Sequence, residues 1–201
     1  MTLRQTTLAM GLLAFFAALT FGTRTAPAQD DQKPVVVMET SMGTITIELD
    51  AKNAPITTAN FLQYVDDKFF DGLTFHRVIP GFMVQGGGFD PQLQQKREGL
   101  RAPIANEHAN GLTNQRGTLS MARTSNPNSA TSQFFINVVD NAPLDQGDGY
   151  AVFGRVISGM DVVDRIVNVP TARRRSPEGS VMGDVPVEPV VIKSVRRKGK
   201  G

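Results

Sequence analysis

Cysteine is absent from the 201-residue chain, and that absence removes a cysteine nucleophile, a thiolate metal site, dithiol redox chemistry and every disulfide at once. Stability must come from a packed core. The chain also has no apolar run of membrane-spanning length: Leu8 to Gly22 covers about fifteen residues, short of the ~20 a helix needs to cross the hydrocarbon core. With Arg4 before it and Ala26 and Ala28 in small-residue positions after it, this run reads as a secretory signal over 1–28, cleaved before Gln29. No Cys follows it, so lipid modification of the new terminus is excluded. The expected organisation is a signal over 1–28, a flexible mature N-terminus over 29–34, one domain over 35–196 and a basic tail over 197–201.

A large excess of acid or base is missing as well. The chain has 21 Lys and Arg against 19 Asp and Glu, and the first 28 residues contain Arg4 and Arg24 but no acid. The mature protein is formally neutral, and nucleic acid is not an expected partner. The runs "RRR" at 173–175 and "RRKGK" at the end read as solvated charge. There is no internal repeat. The two histidines, His76 and His108, lie far apart without an HExxH setting, so no metal site is expected. Gly86 to Gly88 lack a following Lys-Ser or Lys-Thr, which favours close backbone packing over a phosphate cradle. Phosphoryl, hydride and acyl transfer all lack their equipment, and no cofactor is expected.

What is present is short-period patterning. In "VVVMETSMGTITIELD", Thr44, Thr46 and Glu48 alternate with Ile45, Ile47 and Leu49, the period of a half-buried strand, and Ser41 to Gly43 make the turn of a hairpin. Pro55 opens a helix whose apolar positions are Ile56, Ala59, Phe61, Leu62 and Val65. A second helix follows Ser158, with Asp161 completing a capping box and Met160, Val163, Ile166 and Val167 as its apolar face. Strands are expected at 74–79, 82–85, 117–122, 133–138, 151–156 and 189–195. Loops rich in Gly, Pro, Asn and Asp are expected at 90–116, 123–132, 140–149 and 170–187. Seven or eight strands with two helices predict an antiparallel barrel or closed sheet.

The stretch "FHRVIPGFMVQGGG", Phe75 to Gly88, contains no Ser, Cys, Lys, Asp or Glu, so whatever chemistry it does is done without a nucleophile. Read alone, it is two core strands joined at Pro80-Gly81. Together with "RGTLSMA", "SQFFI" and "YAVFGRVISGMDVV" in that order, it resembles the cyclophilin family of peptidyl-prolyl cis–trans isomerases over residues 35–196, and its bacterial exported members in particular. The resemblance implies a mainly β fold, an eight-stranded antiparallel closed barrel capped by two α-helices. It implies rotation about X–Pro bonds in exported or folding polypeptides, in a periplasmic or other extracytoplasmic compartment. The mature protein is expected to be a monomer with no membrane attachment.

The resemblance also assigns residues. Arg77 would donate to the proline nitrogen, with Gln85 as its catalytic companion. Phe82, Met83, Phe135 and Leu144 would form the proline pocket, joined by Tyr150. Gln133 would help Gln85 orient the carbonyl before proline and steady Arg77. The backbone at Ala122 and Arg123 would pair with the substrate chain. His76 is expected on the opposite face of its strand, in a structural role. Three positions depart from the common family pattern: Pro143 where Trp is frequent, Tyr150 where His is frequent, and Arg123 where Asn is frequent. A binding module of the same fold, recognising proline segments without turning them over, is the other function class. It would have no need of Arg77 with Gln85.

Overall fold

The computed structural model describes residues 33–199, and the leader expected over 1–28 lies outside the described residues. The first hairpin forms as the alternation requires: β1 (Val35–Thr40) pairs with β2 (Gly43–Leu49). Val36, Met38, Ile45, Ile47 and Leu49 all point into the core. Helix α1 (Pro55–Asp66) follows, then β3 (Phe75–Ile79), β4 (Met83–Gly86), β5 (Thr118–Met121), β6 (Phe134–Asn137), β7 (Val152–Ser158) and helix α2 (Met160–Val167). The chain ends with β8 (Thr171–Arg175), β9 (Val181–Pro186) and β10 (Ile192–Arg197).

Eight of these strands make one antiparallel sheet in the order β10-β1-β2-β7-β5-β6-β4-β3. The two outer strands approach each other just before they begin. Thr74 bridges Val191, Ile192 N donates to Leu73 O at 2.7 Å, and Phe75 N donates to Val190 O at 3.0 Å. The barrel is thus closed through a short seam, and β9 packs against β3 beyond it. Helix α1 packs on β10 and β7, and α2 on β2, β3 and β4. The core between them is rich in phenyl rings. Phe61 of α1 has Phe70, Phe153 and Phe134 at centroid distances of 5.0, 5.3 and 5.5 Å, within the range for favourable aromatic pairs.

Four expectations are corrected. Residues 170–187, expected as a loop, contain the β8–β9 hairpin. All five residues of β8 are exposed, so no alternation marks it. The capping box at Ser158 does not form, because Ser158 ends β7 and α2 is entered through Gly159 at φ 90°. A Cβ there would lie 2.3 Å from Thr44 O, so both the positive φ and the close approach demand glycine. On α1, Ile56 is 48% exposed and Ala59 is exposed too, while Thr57, Thr58, Asn60 and Tyr64 are buried. On α2, Val162 is buried beside Val163, Ile166 and Val167, and Met160 is only partly covered.

Two of the basic residues at the end, Arg196 and Arg197, are paired with acids and are not free solvated charge. Arg197 closes β10 and makes two bonds to Asp66 at 2.7 and 2.6 Å, and Arg196 makes two to Asp71 at 2.8 and 2.5 Å. These forked pairs tie the last strand to α1 and the turn after it, so the domain extends through Arg197.

Candidate active site

Strand register explains how motifs distant in sequence come together. Arg77 on β3 is opposite Gln85 on β4, Gln85 is opposite Phe135 on β6, and Phe135 is opposite Ser120 on β5. A second row on the same face runs from Ile79 through Met83 to Asn137. Because side chains alternate along a strand, Val84, Phe134 and Ile136 fill the barrel interior at 0% exposure. Met83, Gln85 and Phe135 therefore face outward into the site.

The turn between β3 and β4 sets the near wall. Phe82 N donates to Ile79 O at 3.1 Å across Pro80-Gly81, with Gly81 at φ 71°, the arrangement a type II turn requires. It delivers Phe82 and Met83 to the rim. The far wall is the 140–150 loop, which opens with a 3-10 turn at Ala142–Asp145 and carries Leu144 and Tyr150. The open cavity between the walls is about 170 Å³ and is lined by Arg77, Phe82, Met83, Gln85, Ala122, Arg123, Phe135, Leu144 and Tyr150. Met83 and Phe135 are 2% and 5% exposed, which leaves a small apolar floor.

Gln133, the remaining residue expected at the site, stands one step behind the wall. Arg77 Nη1 donates to Gln85 Oε1 at 3.4 Å, and Gln85 Nε2 donates to Gln133 Oε1 at 3.0 Å. Gly88 gives Gln133 its room, since a Cβ at 88 would come within 2.7 Å of the Gln133 Cγ and Cδ atoms. Arg77 itself is exposed and, among the described residues, belongs to no ion pair. His76 is 3% exposed and lies away from this cavity. A bulge at His76 interrupts the β3–β4 pairing, and its ring packs 4.6 Å from that of Phe89. It lines a small recess with Val185 and Pro186 of the β8–β9 hairpin.

The side chain of Arg123 does more than a backbone role requires. Its Nε donates to Gly149 O at 3.0 Å, Nη1 to Thr124 O at 2.9 Å and Nη2 to Asp148 O at 3.3 Å. The guanidinium carbon is 4.5 Å from the Tyr150 ring centre, and Tyr150 meets Phe135 edge-on at 5.7 Å. Ala122 N–H is already bonded to Gln133 O at 3.0 Å. The groups left at this bend for a substrate strand are Ala122 C=O and Arg123 N–H.

Sequence reasoning missed what holds the far wall. Asn114 donates to Asp145 Oδ1 through both its backbone N and its Nδ2, at 2.9 and 2.7 Å. Its Oδ1 accepts from Ser120 Oγ at 2.7 Å and Asn137 Nδ2 at 3.1 Å. Asn141 Nδ2 donates to Asn137 Oδ1 at 2.7 Å and to Phe82 O at 2.9 Å. One buried network thus fixes the 140–150 loop and the Phe82 rim to β5 and β6. Three asparagines scattered over 114–141 have no spacing signature, so no sequence pattern pointed to them.

The sequence profile of the family described as cyclophilin type peptidyl-prolyl cis-trans isomerase/CLD matches residues 35–197. The chain is 54% identical to the peptidyl-prolyl cis-trans isomerase of Acinetobacter baylyi, over 82% of this chain and 85% of that one. It is 50% identical to peptidyl-prolyl cis-trans isomerase B of Escherichia coli, over 80% and 98%. Among solved structures it is similar to a cyclophilin type peptidyl-prolyl cis-trans isomerase of Cryptosporidium parvum crystallised in the presence of the dipeptide Ala-Pro. That match has a TM-score of 0.68 and 25% identity, covering 83% of this chain and 99% of that one.

Proposed function

The chain belongs to the cyclophilin-type peptidyl-prolyl cis–trans isomerase family, and we propose that it lowers the X–Pro rotation barrier through a hydrogen bond from Arg77 to the proline nitrogen. The barrier is ~18–20 kcal/mol because resonance gives the C–N bond double-bond character, and the uncatalysed step takes tens to hundreds of seconds. No covalent bond has to break. Twisting the amide returns a lone pair to the proline nitrogen, so that atom accepts a hydrogen bond in the transition state and not in either planar ground state. A donor aimed at it stabilises the transition state selectively.

The observation that carries this reading is the state of Arg77. Its guanidinium stands beside an apolar pocket, without an ion-pair partner among the described residues and tethered to the pocket wall by one long bond to Gln85. The Met83 and Phe135 surfaces hold the ring while the acyl side turns, and Gln85 with Gln133 orients the carbonyl before proline. A charge-assisted bond stronger by ~2–3 kcal/mol in the transition state accounts for a factor of roughly 30–150. Holding the ring in a water-poor pocket supplies the rest.

A protease-coupled assay on a short Ala-Pro peptide tests the reading. Turnover by the wild type and poor rescue in Arg77→Lys are expected, because a point charge cannot reach the proline nitrogen and Gln85 with one planar fork. Binding of the peptide without any acceleration would instead identify a proline-recognising module. The leader pattern at 1–28 supports export, with unfolded exported polypeptides as substrates of a monomeric, extracytoplasmic enzyme. Mass spectrometry of the exported fraction should find a terminus at or near Gln29.

A further inference from the structure

We infer that the site favours polypeptides carrying a carboxylate immediately beside the proline, and that the Arg123 side chain is the specificity-determining group. The inference rests on the isomerase reading and adds a substrate class to it. Two guanidinium groups, Arg77 and Arg123, line the one small cavity, and no carboxylate lines it with them. Among the described residues neither arginine lies within ion-pair distance of an acid. Everything that holds Arg123 is neutral: three carbonyl oxygens and the face of Tyr150. These contacts orient the guanidinium without cancelling its charge. They use three of its five N–H groups and leave two without a partner among the described residues. The Arg123 N–H and Ala122 C=O beside it are the free backbone groups along which a substrate strand would run, which brings that strand's side chains past the charge. The mature chain is formally neutral, so the preference belongs to this pocket and not to the molecule's overall field.

The test is NMR exchange spectroscopy on tetrapeptides with Glu, Ala or Lys placed immediately before or immediately after proline. The readout is the ratio of kcat/KM for the Glu peptide to that for the Lys peptide, which is insensitive to any general loss of activity. At low salt the ratio should be about tenfold at one flank, combining roughly threefold attraction with roughly threefold repulsion as half-exposed charge pairs do. It should shrink toward parity as ionic strength rises. Arg123→Gln should remove most of the ratio and leave only what the Arg77 charge contributes, Arg123→Lys should preserve most of it, and Arg123→Glu should invert it. A ratio near one at both flanks in the wild type overturns the inference while brisk Ala-peptide turnover leaves the isomerase reading standing. An unchanged ratio in Arg123→Gln overturns the assignment to Arg123, and absence of turnover on every peptide removes both. The salt series on the unmodified protein decides the acidic preference even if a variant fails to fold, and Arg123→Lys and Arg123→Glu give the assignment to Arg123 two further tests.

Discussion

Adjacent basic residues on β3 have opposite fates. Arg77 is exposed at the edge of the pocket, whereas His76 is buried with its pKa pushed down to about 4 by desolvation, the neighbouring Arg77 charge adding to the effect. The unfolded histidine titrates near 6.5, so on acidification the unfolded chain takes up the proton before the folded one. The stabilisation is whole above pH 6.5 and is lost as pH falls from 6.5 to about 4, an amount on the order of 3 kcal/mol. Urea unfolding midpoints should decline across that window in the wild type and decline much less across it in His76→Asn. Asp66 and Asp71 add a separate limb at lower pH, since hydrogen bonds from Arg197 and Arg196 hold both carboxyls below their ordinary range. Equal declines in the two proteins between pH 6.5 and 4 would remove His76 from the acid response.

Among the elements, helix α1 depends on a residue it does not contain. Its N-cap is Ala54, which has no side-chain oxygen, and the free N–H groups of Ile56 and Thr57 donate instead to the Glu107 carboxylate at 3.0 and 2.7 Å. Thr57 Oγ1 adds a third bond at 2.7 Å. Glu107→Ala should destabilise the fold by about 1–2 kcal/mol, measured by chemical unfolding, as the loss of a charged helix cap does. A change below a few tenths of a kcal/mol would show the cap to be redundant. The 140–150 loop gives a prediction about inhibition. The family's frequent Trp offers the cyclic peptide cyclosporin an indole N–H and a broad surface, and the exposed Pro143 of this chain offers neither. Loss of a hydrogen bond of ~1 kcal/mol and an aromatic contact of ~1–3 kcal/mol predicts binding weaker by roughly two to three decades. Pro143→Trp should restore much of it in a titration, and nanomolar inhibition of the unmodified protein would contradict this role for the loop.

Elements were legible in the sequence where one face is buried and the other is wet. β1 and β2 announce themselves because Ile45, Ile47 and Leu49 alternate with polar residues, and α2 because its valines repeat at helical spacing. β8 did not, since a strand exposed along its whole length leaves no pattern. Neither did the Glu107 cap, which acts across fifty positions, nor the Asn114–Asn137–Asn141 network, whose members meet only through the folded sheet. The candidate residues could be named as a set because their motifs resemble a family. Their meeting is a property of register: Arg77, Gln85 and Phe135 share one row across three strands.

At the scale of the whole molecule, the barrel makes the two faces of its strands do different jobs. Phe134, Ile136 and Val84 fill an aromatic and aliphatic interior with Phe61, Phe70 and Phe153, and the intervening residues are held outward at fixed spacing by that packing. A rigid wall of this kind can present a donor and a ring pocket without a nucleophile, which is what rotation about a bond requires. In the proposed mechanism Arg77 acts on the twisted amide and hardly at all on the planar one. The direct measurement is NMR exchange on an Ala-Pro peptide at saturation, comparing Arg77→Ala with the wild type for both affinity and bound-state interconversion rate. The variant should keep an affinity within about threefold and show an interconversion rate lower by roughly 30–150-fold. A rate within threefold of wild type, or a loss of affinity that matches the loss of rate, would contradict it.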